Sequence, residues 1–260
     1  MSEDSARGRF IWHDLMTTDQ EAAKAFYTAV VGWGTTTWET EKGPYVMWTT
    51  GETPIGGMMT LPPEVAAGGQ KPHWLAYVAV PDTDATTDRA KTLGAQVHVA
   101  PKDIPGAGRF AVLTDPQGVA FAIYTSEKPT PPESEKESAG EFVWHELATT
   151  DYKAAFAFYS DLFGWEKTSE MDMGPHGIYF MYGLRGRPYG GMFNQPAEKG
   201  PPSWLHYIRV EDVKSAAELI TKNGGQVTSG PMEVPGGWIV TGIDPQGGTF
   251  ALHQLGGGAA

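Results

Sequence analysis

Residues Phe10–Trp33 read FIWHDLMTTDQEAAKAFYTAVVGW, and residues Phe142–Trp165 read FVWHELATTDYKAAFAFYSDLFGW. At an offset of 132, 14 of these 24 positions are identical. Three further blocks recur in the same order. Pro54-Ile55-Gly56-Gly57-Met58 returns as Pro188-Tyr189-Gly190-Gly191-Met192, and Trp74-Leu75-Ala76-Tyr77 returns as Trp204-Leu205-His206-Tyr207. Asp115-Pro116-Gln117-Gly118 returns as Asp244-Pro245-Gln246-Gly247. Four blocks in matching order make the chain a duplication. The reading places one domain at 8–125, a second at 142–255 and a linker at 126–141. That linker, SEKPTPPESEKESAGE, has no apolar residue but Ala139 and cannot bury a core of its own. Residues 256–260 read as a flexible tail.

Inside the quoted stretch the hydrophobic period changes once. Phe10–Thr17 alternates as a strand does. Thr18-Asp19 then supplies an N-cap, and Ala22, Ala23, Phe26, Tyr27 and Val30 fall at helical spacing over Gln20–Val31. Gly32 ends that helix. Strands are expected around Thr35–Glu39, Tyr45–Thr50 and Pro54–Thr60, with Gly or Pro between them. The order restarts with a strand at Trp74–Val80, a cap at Asp82-Thr83-Asp84 and a helix at Ala85–Leu93. Strands near Gln96–Ala100, Arg109–Thr114 and Ala120–Tyr124 complete the repeat. Each repeat is thus βαβββ twice, four units in all. An α+β fold of two cupped mixed sheets with helices on the outside buries such a pattern.

Composition narrows the function classes. The 260 residues are 40% hydrophobic and 19% charged, as in globular proteins, with a formal net charge of -12. An acidic chain lacks the basic face that nucleic acid requires, and an anionic membrane does not attract it. The absence of cysteine removes disulfides, thiolate metal sites and cysteine nucleophiles. No apolar run approaches the length of a membrane span, and MSEDSARGR at the N-terminus has no apolar targeting segment. The expected compartment is the cytoplasm, and the expected state is a monomer or a homodimer.

The topology, with D-x-x-x-A-x-x-FY-x-x-x-x-GW and later DP-x-G-x-x-F, resembles the vicinal-oxygen-chelate superfamily of glyoxalases, bleomycin-resistance proteins and dioxygenases. It is most similar to the two-domain glyoxalase-like proteins of actinobacteria. The resemblance implies fold more than activity, because this superfamily hosts many chemistries. Metal-dependent members carry ligands on the first and fifth strands and a Glu on the eighth. Anchored on Asp19 and its repeat, the first of these positions falls on Trp12 and Trp144, with His13 and His145 one residue later. The fifth-strand position falls on Leu75 and Leu205, with His206 one step off and His73 two residues away. The Glu position holds Ala122 and Ala251. None of these can bind a divalent ion, so the resemblance implies no metal and no cofactor in either cup.

Strand alternation then says which side chains face the cups. In the first repeat they are Trp12, Asp14, Tyr77, Ala79, Ala122 and Tyr124; in the second, Trp144, Glu146, Tyr207, Arg209, Ala251 and His253. Glu146, Arg209 and His253 are the candidate catalytic groups, able to orient an anionic or carbonyl compound and to move a proton. A Glu146–Arg209 contact equally reads as a structural ion pair, and Asp14 with Tyr77 and Tyr124 as a satisfied polar contact. Trp12, Asp14, Tyr77, Tyr124, Trp144 and Tyr207 are the candidate ligand-binding residues. His13 and His145, on the helix side, read as core histidines, and no third ligand at a defined spacing joins His145 and His206. His98 and His176 read as loop residues. Gly56-Gly57 and Gly190-Gly191 mark a bulge or a close backbone approach rather than a phosphate loop.

The leading functional expectation is a protein that binds a small molecule in a metal-free cup, for sequestration or detoxification. Three alternatives stay open. One is a metal-free acid–base lyase or hydroxylase-like enzyme using Glu146 and Arg209. Another is a metal-dependent glyoxalase or dioxygenase, if the histidines face the cup. The last is an interaction or regulatory protein. Whether the chain is an enzyme is not decided by its sequence.

Overall fold

The computed structural model describes residues 6–41, 43–131 and 137–256. Residues 132–136 of the expected linker and 257–260 of the expected tail lie outside the described residues. The first repeat runs β1 (Phe10–Thr17), α1 (Gln20–Val31), β2 (Gly34–Thr40), β3 (Gly43–Thr50), β4 (Thr53–Thr60) and a short α2 (Pro63–Ala67). It continues with β5 (His73–Ala79), α3 (Thr83–Thr92), β6 (Gln96–Ile104), β7 (Gly108–Thr114) and β8 (Ala120–Ser126). The second repeat runs β9 (Phe142–Thr149), α4 (Tyr152–Phe163), β10 (Glu166–Asp172), β11 (Ile178–Leu184) and β12 (Arg187–Asn194). It ends with β13 (Ser203–Arg209), α5 (Val213–Lys222), β14 (Gln226–Val234), β15 (Gly237–Ile243) and β16 (Thr249–Leu255).

The fold is the expected α+β arrangement of four βαβββ units in two eight-stranded mixed sheets. Their orders are β2-β3-β4-β1-β5-β8-β7-β6 and β10-β11-β12-β9-β13-β16-β15-β14. In every unit the first strand pairs in parallel with the fourth, and the remaining pairs are antiparallel hairpins. Each unit's main helix starts at an aspartate, Asp19, Asp82, Asp151 or Asp212, whose carboxylate accepts backbone N–H groups of the first turn. Asp82 alone does this in the second unit, so α3 begins at Thr83, two residues before its expected start. Helices α1 and α4 end at Gly32 and Gly164 in left-handed conformation, which glycine adopts without a Cβ penalty.

The chain divides into two compact units. A mid-chain unit holds most of β5–β12 with α3 and α4; a terminal unit holds most of β1–β4 and β13–β16 with α1 and α5. In the terminal unit, Leu15, Phe26, Tyr27, Trp33, Trp48 and Met58 of the first repeat share a core with Ile208, Ile220, Val240 and Phe250 of the second. In the mid-chain unit, Val78, Leu113, Phe121 and Ile123 share a core with Phe158, Tyr159, Trp165 and Tyr182.

The motifs that recur in the sequence meet inside these cores. The buried Tyr27 hydroxyl donates to Asp244 at 3.1 Å and accepts from the Trp74 indole at 3.1 Å. In the mid-chain unit Tyr159 donates to Asp115 at 3.0 Å. Burial pushes the carboxyl groups of Asp115 and Asp244 above the usual range, although backbone N–H groups of their own turns work against it. Two tryptophans act in the same reciprocal way. Trp33 donates to the Gly140 carbonyl at 2.8 Å, and Trp165 to the Gly8 carbonyl at 2.7 Å. The FY, GW and DPQG blocks are therefore structural staples, each joining a residue of one repeat to the other or, for Trp33, to the end of the linker.

Candidate functional site

On β1, Leu15 points into the helix-covered core, so alternation turns Trp12 and Asp14 to the opposite face. There the Trp12 indole N–H donates to the Asp14 carboxylate at 3.0 Å and to the Tyr45 hydroxyl at 2.8 Å, and the Tyr45 hydroxyl donates to Asp14. Tyr45 comes from β3 and crosses β4 at Gly57, which pairs with Asp14. A Cβ at Gly57 would run into the Tyr45 ring. The second repeat builds the same device: Tyr179 of β11 donates to Glu146 at 2.8 Å, stacks on Phe193, and occupies the space a Cβ at Gly191 would take. The second glycine of each pair thus serves a close approach by a tyrosine, and the first, Gly56 or Gly190, lies against the backbone carbonyl of His13 or His145. A one-residue register shift between Trp48 and Thr49 adds the bulge beside Gly56. Sequence reading passed over Tyr45 and Tyr179. Their signal was the second glycine of each pair, standing opposite an acidic residue one strand away.

The other half of each sheet differs between the repeats. On β5 and β8, Tyr77 is paired with Ala122 and Ala79 with Tyr124. The Tyr77 ring lies 6.3 Å from Phe110, and the Tyr124 hydroxyl donates to the Ala107 carbonyl at 2.6 Å. On β13 and β16, Tyr207 is paired with Ala251 and Arg209 with His253. Arg209 is buried; its Nη1 donates to His253 Nδ1 at 3.1 Å, and its Nη2 lies 3.8 Å from the Glu137 carboxylate. Burial, then the charge of Arg209, holds the His253 imidazole below its ordinary pKa, and a hydrogen bond to the Gly236 backbone acts the other way. The structure therefore gives Arg209 a carboxylate contact that sequence reading did not foresee, and gives Asp14 its partners in Trp12 and Tyr45. Trp144 stands on β9 at the place of Trp12 and is half-buried.

The histidines alternate with core residues. His13 precedes Leu15, His145 precedes Leu147 and His206 precedes Ile208 by two positions, and all three are buried. In the terminal unit His13 stacks on Phe142 at 3.7 Å and meets His206 edge-on at 5.1 Å. In the mid-chain unit His145 stacks on Phe10 at 3.7 Å. Burial alone drives the His206 pKa down to about 3, so this imidazole is neutral at any physiological pH. His73 sits at the start of β5, its Nδ1 2.8 Å from the Lys71 carbonyl oxygen. His98 lies within β6, exposed on an edge strand rather than in a loop. His176 is in a single 3-10 turn.

The superfamily model described as glyoxalase/bleomycin resistance protein/dioxygenase matches residues 9–123 and 141–252. The chain belongs to that superfamily. A Mycobacterium tuberculosis protein provisionally named the glyoxylase CFP32 is 33% identical over 244 residues, covering 93% of this chain and 92% of its own. The anthracycline biosynthesis protein DauV of Streptomyces sp. (strain C5) is 29% identical over 265 residues, covering 96% of this chain and 94% of its own. Among solved structures, the 2,3-dioxygenase LapB from Pseudomonas sp. KL28 matches with a TM-score of 0.67 at 14% identity, covering 97% of this chain and 93% of LapB. The Mn(II)-bound glyoxalase from Novosphingobium aromaticivorans matches with a TM-score of 0.65 at 16% identity, covering 96% of this chain and 83% of that one. At such identities the structures share the fold alone.

The superfamily's metal does not fit its usual place here. Trp12 offers an indole N–H that only donates and is already bonded to Asp14 and Tyr45, while Leu75, Leu205, Ala122 and Ala251 offer no ligating atom. Among the described residues no helix is long and apolar enough to cross a membrane.

Proposed function

We propose that the chain binds a small organic molecule on the sheet faces turned away from the helices, without a metal in the superfamily's ligand positions, for sequestration or detoxification. The observation that carries this reading is the replacement of those positions by Trp12, Trp144, leucines and alanines, beside an intact polar device of Trp12, Asp14 and Tyr45. Aromatic rings next to a carboxylate suit a flat ligand with hydroxyl or cationic groups. A relative named for anthracycline biosynthesis makes polycyclic aromatic compounds the first library to screen. A ligand that binds only the native state must raise its melting temperature. The expected result is a concentration-dependent rise with an aromatic compound, weakened by Tyr45→Phe or Asp14→Asn. A broad library without one stabilising compound would remove the reading.

A second reading is metal binding by the buried histidines of the helix-facing side, favoured by the closely placed rings of His13 and His206 and the neutrality of His206. Elemental analysis after incubation with Zn, Ni, Mn and Fe and gel filtration tests it. A stoichiometric ion lost in His206→Ala supports that reading; no retained ion removes it. Acid–base chemistry by Arg209 and His253 in the terminal unit, or by Glu146 in the mid-chain unit, is a third proposal, and turnover that survived both Glu146→Gln and Arg209→Ala would exclude it.

A further inference from the structure

The two repeats supply an internal control for one charged group. The position of Arg209 is Ala79 in the first repeat, and that of His253 is Tyr124. The first repeat folds the same strand pair there with no charge at all. Tyr124 donates to the carbonyl of Ala107, in the turn before β7. His253 stands at the matching place, where the Gly236 backbone in the turn before β15 acts on its imidazole. The fold's need at this place is therefore met by an uncharged side chain, Tyr124, in the first repeat.

One ring nitrogen of His253 does something the first repeat has no counterpart for. A guanidinium can only donate, so Nδ1 of His253, 3.1 Å from Arg209 Nη1, must carry the lone pair. The Nδ1 lone pair is thus the acceptor that aims the guanidinium. That contact makes His253 a positioning residue for Arg209. The backbone is clamped as well: the Arg209 N–H donates to the Glu141 carbonyl at 2.8 Å, and the Gly140 N–H donates to the Arg209 carbonyl at 2.8 Å.

Among the described residues, the carboxylate that faces the buried guanidinium is a distant one. Glu137 stands 3.8 Å away, well beyond the roughly 2.7–2.9 Å of a charge-assisted hydrogen bond, and its side chain is 31% exposed. Around the pair on the same face are Tyr207 and the small side chains of Ala251 and Thr241. A buried cation on an acidic protein, aimed by a neutral acceptor and faced by a carboxylate beyond hydrogen-bond distance, has the chemistry of an oxyanion subsite.

We propose that Arg209 is an oxyanion-recognition group and that the ligand of the second repeat carries a carboxylate, which takes the place of Glu137. This deepens the small-molecule-binding reading and rests on it. The test is calorimetric titration of the full chain with benzoate and with benzamide, which share a ring and differ in charge. Exchanging a neutral for a charge-assisted hydrogen bond predicts benzoate about tenfold tighter than benzamide. Glu137→Gln, at a partly exposed position that leaves the core intact, is expected to tighten benzoate by about threefold, the scale of a partly exposed ion pair. Arg209→Gln is expected to erase the preference and Arg209→Lys to keep part of it. His253→Leu is expected to lose the preference and His253→Gln, which still offers an acceptor, to recover part. Equal affinities for benzoate and benzamide overturn the inference while leaving the general binding reading standing. A preference that survives Arg209→Gln also overturns it, as does a Glu137→Gln variant that loses stability with no change in benzoate affinity, the mark of a structural ion pair. If no aromatic compound of any charge binds, the underlying reading falls first.

Discussion

Three buried titratable groups, His206, Asp115 and Asp244, shape how this protein responds to acid. His206 has its pKa pushed from 6.5 to about 3 by burial, so the unfolded chain binds a proton below pH 6.5 that the native state refuses. Its folded pKa is depressed, so stability is complete above about pH 6.5 and is lost as pH falls, by up to roughly 1.4 kcal/mol per pH unit. Asp115 and Asp244 act with the opposite sign. Their folded pKa values are raised, so protonation between the unfolded value of 3.8 and the raised value favours the native state. Urea unfolding from pH 7 to 4 is expected to show a fall in stability that flattens in His206→Gln. An unchanged slope in that variant would place the sensitivity elsewhere. Tyr27 belongs to the same scale: removing its hydroxyl leaves the Asp244 carboxylate short of a buried donor. Tyr27→Phe is expected to cost about 1–3 kcal/mol in denaturant unfolding, and less when combined with Asp244→Asn.

At the scale of elements, the strand-and-tyrosine device makes a sharp prediction. Gly57 is opposite Asp14 and beneath Tyr45, and its φ is not in the left-handed region, so its requirement is space rather than backbone freedom. Gly57→Ala is expected to displace Tyr45 from Asp14 and destabilise the fold by about 1–3 kcal/mol, the usual range for overpacking. In Gly57→Ala/Tyr45→Ala the clash with the ring is absent and only the Asp14 carboxylate oxygen, 2.8 Å from the new Cβ, must give, so the double variant is expected to lose less than the sum of the two, by thermal unfolding. Additive losses would show that the glycine serves something other than the ring. This device also marks the limit of what the sequence discloses. Alternation and capping were local signals, and they placed β1 and α1 at their observed bounds and Trp12 and Asp14 on one face. Tyr45 and Glu137 reach their partners from other elements, 31 and 72 residues along the chain, and no local period reports such contacts. The role of Asp115 and Asp244 was hidden for the same reason, since each is bonded to a tyrosine in the other repeat.

For the whole molecule, the question is what folds as one body. Residues 8–125 and 142–255 are repeats in sequence, and we propose that they are units of inheritance rather than units of folding. The mid-chain core needs Val78, Leu113, Phe121 and Ile123 from the first repeat and Phe158, Tyr159, Trp165 and Tyr182 from the second. The terminal core is shared in the same way. A lone repeat would expose both half-cores, each large apolar side chain forgoing about 1.5–3 kcal/mol of burial, and would strip Tyr27, Tyr159, Trp33 and Trp165 of their acceptors. Fragments 1–131 and 137–260, co-expressed, are therefore expected to purify as a one-to-one complex with a single cooperative unfolding transition. Either fragment alone is expected to aggregate or to pair with its own copy, because the duplicated sequence offers each half-core a near-equivalent partner. Light scattering with circular dichroism decides between these outcomes. A fragment that stays monomeric with full helix content and unfolds cooperatively would show that the repeat folds unaided, and the reciprocal tyrosine–aspartate bonds would then be docking contacts between finished domains.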